Sequence, residues 1–139
     1  MNQRTEYGLK VFSELMGEKA AETLRGAAGA GGFGAAMSNL ALNFAFADVW
    51  GRDGLERKQR SLVTLGILIA TRQILEFKNH VRIGVRNGLT VRELEEVLIQ
   101  AVPYAGFPAV ASASTALIET LRELGLDKQA KTSEEQGLL

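Results

Sequence analysis

The sequence predicts an all-α fold, and three observations carry that expectation. Alanine and leucine are abundant, only two prolines occur in 139 residues, and apolar residues recur every three or four positions instead of alternating as strands would. Residues 4–16 place Leu9, Val11, Phe12, Leu15 and Met16 between charged residues, a one-sided amphipathic helix that Gly17 stops. A short second helix follows from Glu18 to about Ala28. Gly26, Gly29, Gly31, Gly32 and Gly34 then form a glycine-rich connection. No strand precedes it and no Gly-Lys-Ser/Thr follows, so it does not read as a phosphate loop. A helix resumes over 35–50, and Gly51-Arg52-Asp53-Gly54 makes a turn.

The spacing of Asp53 and Glu56 fits a capping-box variant that starts the next helix at Asp53. Its body, 62–70, is apolar around nearly the whole circumference, which implies burial on all sides. A chain of this length provides little cover for such a helix. The expectation is therefore a homo-oligomer with this helix near a subunit contact. A further helix spans 73–85, continuing from the last or restarting with Thr71 as its N-cap, and Gly88 closes it. Thr90-Val91-Arg92-Glu93 is a capping box that opens a helix with Val91, Leu94, Val97, Leu98, Ala101 and Val102 on its apolar face. Pro103 is expected to kink or end it near Tyr104, with Gly106-Phe107-Pro108 as a hinge before a last helix that runs to Leu124 and is capped by Gly125. Residues 128–139 read as a polar, frayed tail. The whole, 1–139, reads as a single helical domain.

Sixteen basic residues balance sixteen acidic ones, so no bulk field draws the chain to nucleic acid or anionic lipid. A small-molecule or protein partner is the expectation. With no cysteine, disulfides, thiolate zinc sites and thiol redox chemistry are excluded, and one histidine per chain rules out a multi-histidine metal site. The longest apolar run falls far short of the roughly 20 residues that span a bilayer, and the N-terminus lacks a basic-then-apolar leader. A cytoplasmic location with no membrane partner is the default expectation.

One constellation carries chemistry. Gln73, Glu76 and His80 are spaced by three and four residues and so project from one helix face. A carboxylate there can orient an imidazole, fix its tautomer and raise its basicity, the preparation for proton transfer near neutral pH. Spacing alone favours the plainer reading, a solvated Glu–His pair. Arg52, Arg57, Lys58 and Arg60 cluster around a helix start, where guanidinium forks suit a carboxylate but equally serve as ordinary surface charge. Ser61, Ser112 and Ser114 lie in no nucleophile elbow and read as packing. Tyr104 and Trp50 suit a pocket wall or the core equally.

Several segments then occur in a telling order: Trp50-Gly51-Arg52-Asp53-Gly54-Leu55, Arg60-Ser61-Leu62-Val63-Thr64-Leu65, Glu76-Phe77-Lys78-Asn79-His80-Val81, Asn87-Gly88-Leu89-Thr90 with Glu93 and Glu96, and Tyr104-Ala105-Gly106-Phe107-Pro108-Ala109. This series, over roughly 44–124, resembles the gamma-carboxymuconolactone decarboxylase family. The resemblance implies the all-helical fold shared with the alkylhydroperoxidase D proteins, assembled as a homotrimer or homohexamer. It also places the cysteine pair of the peroxidase branch at Gln73 and Glu76 and that branch's acidic relay residue at Ser61. Peroxidase chemistry is therefore excluded.

The decarboxylase branch implies cofactor-independent loss of carbon dioxide from a carboxymuconolactone in aromatic catabolism, within the beta-ketoadipate pathway. In such a substrate the released electrons flow through a double bond to the lactone carbonyl as a dienolate, so neither metal nor cofactor is required. The protein must hold carboxylates, stabilise an oxyanion and deliver a proton. On this chain the resemblance implies His80 as proton donor or shuttle, Glu76 orienting it, Gln73 as a donor to the lactone or enolate oxygen, and Arg52, with Arg60 second, as the carboxylate clamp. The partner is then a carboxylated lactone or an unsaturated dicarboxylic acid. Two competing expectations stand beside it: an isomerase or hydratase of a related ring-cleavage acid, and a non-catalytic oligomeric protein in which Glu76 and His80 make only an intersubunit hydrogen bond.

Overall fold

The structure is a computed structural model and describes residues 1–138; Leu139 lies outside the described residues. Its elements are α1 (Gln3–Met16), α2 (Glu18–Gly29), α3 (Ala35–Leu40), a π-helical segment (Ala41–Trp50), α4 (Arg57–Ala70), α5 (Ile74–Arg86), α6 (Val91–Ala105) and α7 (Phe107–Glu123). Among the described residues there is no strand, as the apolar periodicity led one to expect. The chain divides into two compact units, one ending at Arg57 and one beginning at Lys58.

In the first unit, Asn2 caps α1 by accepting the Thr5 amide at 2.9 Å, and Gly17, at φ 97°, ends it. Leu9, Val11 and Leu15 form the buried stripe of α1. The helix packs on the π segment so closely that a Cβ at Gly8 would stand 2.1 Å from the Leu42 carbonyl oxygen. Asn39 holds the base of the glycine-rich connection, donating from Nδ2 to the carbonyls of Ala28 and Ala35, each at 2.9 Å. Below it the phenyl rings of Phe12 and Phe46 meet with centroids 4.7 Å apart.

The stretch 41–50 departs from the ordinary α-helix expected of it. The Gly51 amide, for example, donates five residues back to Phe46 at 2.9 Å, the wide-turn pattern found only rarely in long runs. At α-helical pitch Leu42 and Ala47 would stand about 140° apart, five steps of about 100° each. The wider coil brings these two residues, and Trp50, to the buried side.

In the second unit the core is built from Leu65 and Ile69 of α4, Phe77 and Val81 of α5, Leu94 and Leu98 of α6, and Ala113, Ala116, Leu117 and Leu121 of α7. The Thr90–Glu93 capping box is complete, with bonds of 3.1 and 3.0 Å. Two boundary expectations are corrected. Helix α4 begins at Arg57, not at Asp53: Gly54, which would be its first helical residue, sits at φ 109°, outside the right-handed helical region. Thr71 does not cap α5. Its hydroxyl donates back to Ile67 at 2.8 Å, Arg72 turns the chain at φ 60°, and Gln73 occupies the N-cap position. Helix α6 ends near Tyr104 as expected, with Pro103 inside its last turn, Ala105 as its last residue and Gly106, φ 89°, as its stop. Pro103 removes the amide that the Ile99 carbonyl would otherwise accept, and both residues are exposed.

The polar tail is not frayed over its described residues. Asp127 accepts the amides of Gln129 and Ala130 at 2.9 and 3.0 Å, Arg122 reaches Glu135 at 2.6 Å, and Thr132, buried, exchanges reciprocal caps with Glu135. Helix α4 is also less covered than expected: it buries only Ser61, Leu65 and Ile69, leaving Leu62, Val63 and Ile67 exposed. One face of α4 packs on the unit's own core through Leu65 and Ile69.

Candidate active site

The sequence of α5 explains how it presents the candidate residues. Phe77 and Val81 are fully buried, with Ile83 and Gly84 beyond them, which fixes the rotation of the helix. Glu76 and His80 are then placed on the flank one helical turn apart. Glu76 is exposed and His80 half-buried, with its Nδ1 inside the protein. Burial pushes the imidazole pKa below the ordinary 6.5, while the Glu76 carboxylate pulls it back up.

The expectation that Glu76 makes His80 more basic is thus half of the balance. The carboxylate acts in that direction, but desolvation of the cation outweighs it, and the imidazole is neutral at pH 7. Gln73 stands a turn before Glu76, exposed, and its Nε2 donates to the Thr71 carbonyl at 3.3 Å. That bond holds the amide at the head of α5. Gln73 thus stands at the N-cap of α5, Glu76 in its first turn and His80 at its middle.

Arg60, on α4 in the same unit, is half-buried with its Nε inside the protein. Arg52 belongs to the first unit, exposed in the turn after the π segment. In the same basic cluster, Arg57 pairs with Glu14 at 2.9 Å and Lys58 with Glu93 at 3.0 Å. Ser61 is fully buried and accepts a 2.9 Å bond from Asn87 Nδ2, a packing role as expected. Trp50 is a core residue, while Tyr104 is exposed on α6.

Among the described residues no cluster of three or more His, Cys, Asp or Glu side chains is arranged to hold a metal ion, and no helix is long and apolar enough to cross a membrane. A groove of about 560 Å³ lies between α4 and α6, and none of the five candidate residues lines it. Its walls include Glu93, Glu96 and Tyr104 among mostly apolar residues.

Comparison with known proteins now bears on these residues. The model of the carboxymuconolactone decarboxylase family matches residues 35–119, a stretch that contains Arg52, Arg60, Gln73, Glu76 and His80. The chain belongs to that family. Among characterised relatives of this family, a 4-carboxymuconolactone decarboxylase of Acinetobacter baylyi is 36% identical over 124 residues, covering 89% of this chain and 91% of that protein. A nitrosuccinic acid decarboxylase of Metarhizium robertsii is 35% identical over 118 residues, covering 84% of this chain and 80% of the relative. Both family members are named for the loss of a carboxyl group.

What the sequence did not reveal is the groove. Its signal was present in the four-residue spacing of Gly66 and Ala70 on α4 and of Ala101 and Ala105 on α6, small residues that leave room between two helices.

Proposed function

We propose that the protein is a cofactor-independent carboxy-lyase acting on a carboxymuconolactone-type acid in the cytoplasm, as a step of aromatic-compound breakdown by the beta-ketoadipate route. One observation carries this reading: a single half-buried imidazole, His80, steered by an acid one turn earlier, within the stretch shared with named decarboxylases. Arg52, with Arg60 second, holds a substrate carboxylate as a charge-assisted pair. Gln73 donates to the lactone or enolate oxygen, where negative charge develops.

The departing carboxylate leaves as carbon dioxide when its bond to the γ carbon breaks, and the electron pair moves through the double bond to the lactone oxygen. Collapse of that dienolate takes a proton at the α carbon. His80 supplies it. The free imidazole is neutral, and a dianionic substrate beside it reverses the balance between burial and charge, so the proton is taken up on binding and handed on after carbon dioxide leaves. Water then restores the proton. Glu76 acts through His80 by orienting the ring, and is a positioning residue.

The nitrosuccinic acid relative supports a broader definition of substrate. A nitro group next to a carboxylate is also an electron sink carried by the substrate, so the class is a dicarboxylic acid whose leaving carboxylate is attached to such a sink. The exposed face of α4 supports a homo-oligomer, a trimer or hexamer, with this helix at a subunit contact.

Incubation of the purified protein with 4-carboxymuconolactone and related ring-fission acids, followed by chromatography and carbon dioxide detection, tests the reading. Carbon dioxide with an enol-lactone supports it. An isomeric product without gas identifies an isomerase instead, and absence of turnover across the panel indicates a non-catalytic oligomeric protein.

A further inference from the structure

Helices α4, α5 and α7 end in the same way. The amide of a residue at positive φ donates to the carbonyl three residues back, and the next amide donates to the carbonyl five back. After α5 these bonds run from Gly88 to Val85 at 3.0 Å and from Leu89 to Gly84 at 2.8 Å; after α7, from Gly125 to Arg122 at 3.0 Å and from Leu126 to Leu121 at 2.9 Å. After α4 they run from Arg72 to Ile69 at 3.1 Å and from Gln73 to Leu68 at 2.9 Å. Gly88 and Gly125 suit the left-handed position, which a side chain enters only against a steric penalty. At the end of α4 that position holds Arg72, φ 60°, the sole non-glycine at positive φ among the described residues.

Helix stability does not account for an arginine there. A positive charge just past a helix C-terminus is favourable, but by less than the left-handed conformation costs, and glycine would close the same turn without strain. Nor is the guanidinium engaged by an acid of the chain. Arg25, Arg57, Arg82 and Arg122 each hold a carboxylate, whereas Arg72 is exposed and no described acid pairs with it. Strained residues of this kind cluster where ligands are held, and the candidate site is adjacent. Arg72 lies between the two ends of the 3.3 Å bond from the Gln73 amide to the Thr71 carbonyl, in the same unit as His80. From Ile74 to His80 the helix rises about 9 Å, a span that an arginine, a small dicarboxylic acid and an imidazole fill between them.

We infer that Arg72 is a further substrate-binding residue of the proposed decarboxylation, holding the carboxylate that the product keeps. The inference rests on the decarboxylase reading above. The two carboxylates of the substrate make opposite demands. The departing one loses its charge as carbon dioxide leaves, so a cation fixed on it stabilises the ground state more than the transition state. The retained one carries the same charge throughout, and a cation there anchors the acid equally before and after the bond breaks. Loss of such a contact raises KM and leaves kcat alone. A guanidinium at the head of α5, removed from His80 by several residues of helix, suits that far end of the acid while the imidazole meets the reacting carbon.

The test is steady-state kinetics of the parent, Arg72→Gly and Arg72→Lys, with 4-carboxymuconolactone and with the analogue that carries a carboxamide in place of the retained carboxylate, together with thermal melts. Arg72→Gly is expected to raise KM for the acid about tenfold or more with kcat within about twofold of the parent, and to lose the parent's preference for the acid over the amide. Arg72→Lys, which keeps the charge without the fork, is expected to lie between the two. Because glycine relieves the left-handed strain, Arg72→Gly is expected to melt at or above the parent's temperature. A KM for Arg72→Gly within about twofold of the parent, or an undiminished preference for the acid, overturns the inference. So does an Arg72→Gly protein that melts below the parent, which assigns the arginine to the stability of the turn. A parent that turns over neither compound overturns the decarboxylase reading, and the inference with it.

Discussion

Gly8→Ala is the substitution whose cost the structure defines most sharply. Inside a helix, alanine is favoured over glycine by about 1 kcal/mol, so on propensity alone the change stabilises α1. The added Cβ, however, would lie 2.1 Å from the Leu42 carbonyl oxygen and 2.8 Å from its carbonyl carbon. Both are backbone atoms of the π segment, so no side chain can swing aside, and α1 must retreat by about 1.4 Å for a van der Waals contact of roughly 3.5 Å. Overpacking of this kind costs about 1–3 kcal/mol, occasionally more, and the separation also loosens the packing of Leu9 and Leu42. A net loss of about 2 kcal/mol is expected. Gly26→Ala in α2 is the matched control, because no atom lies within 4 Å of its Cβ; it should gain up to about 1 kcal/mol. Urea unfolding followed by circular dichroism measures both. Equal effects of the two substitutions, or a Gly8→Ala protein as stable as the parent, would refute the close approach of α1 to the π segment.

Four further outcomes follow from the same geometry. Glu76→Gln should shift the alkaline limb of the activity profile to lower pH, because the carboxylate holds the His80 pKa up and His80 must carry the proton it donates, while kcat falls less than on removal of the imidazole; an unmoved limb would mean that the acid does not act on the ring. Because burial holds the folded His80 pKa below 6.5, the unfolded chain binds its proton first, so this histidine lowers stability as pH falls below 6.5; His80→Gln should flatten that part of the pH–stability curve measured by thermal melts. Arg52→Ala should raise KM tenfold or more with little change in kcat, the loss of a charge-assisted bond to bound carboxylate, and steady-state kinetics with Arg60→Ala in parallel shows which arginine is the clamp. Arg122, together with the Thr132 caps, holds the Glu135 pKa at about 2. Protection of the Thr132 and Glu135 amides from hydrogen exchange should therefore be present above pH 4.5 and lost as pH falls towards 2, and Arg122→Ala should lose it at neutral pH.

Much of the helical frame was legible because local chemistry decides it. Gly17, Gly88 and Gly125 stop helices where positive φ is needed, and the Thr90–Glu93 box has its meaning within four residues. Errors arose where a distant or global term prevailed. The α4 start was misplaced because Gly54 takes positive φ, which the Asp53–Glu56 spacing does not reveal. The π coil of 41–50 answers to packing against Gly8, more than thirty residues away, and the ordered tail depends on Arg122 reaching Glu135.

At the site, helix periodicity was enough to put Glu76 beside His80. Whether burial or the carboxylate governs the imidazole depends on Phe77 and Val81 setting the rotation of α5 into the core, which spacing alone does not settle. The proposed clamp was legible only as residue type: Arg52, Arg57, Lys58 and Arg60 look alike in sequence, and the ion pairs of Arg57 with Glu14 and Lys58 with Glu93 became visible only in the fold.

The most direct test follows carbon dioxide release and product formation together, with 4-carboxymuconolactone as substrate, for the parent protein and His80→Gln at equal concentration. The account predicts stoichiometric carbon dioxide and enol-lactone from the parent, carrying one solvent deuterium at the α carbon in heavy water, and a rate 10² to 10⁴ times lower for a folded His80→Gln protein. Equal rates from the two proteins, or a parent that consumes the lactone without releasing carbon dioxide, would contradict it.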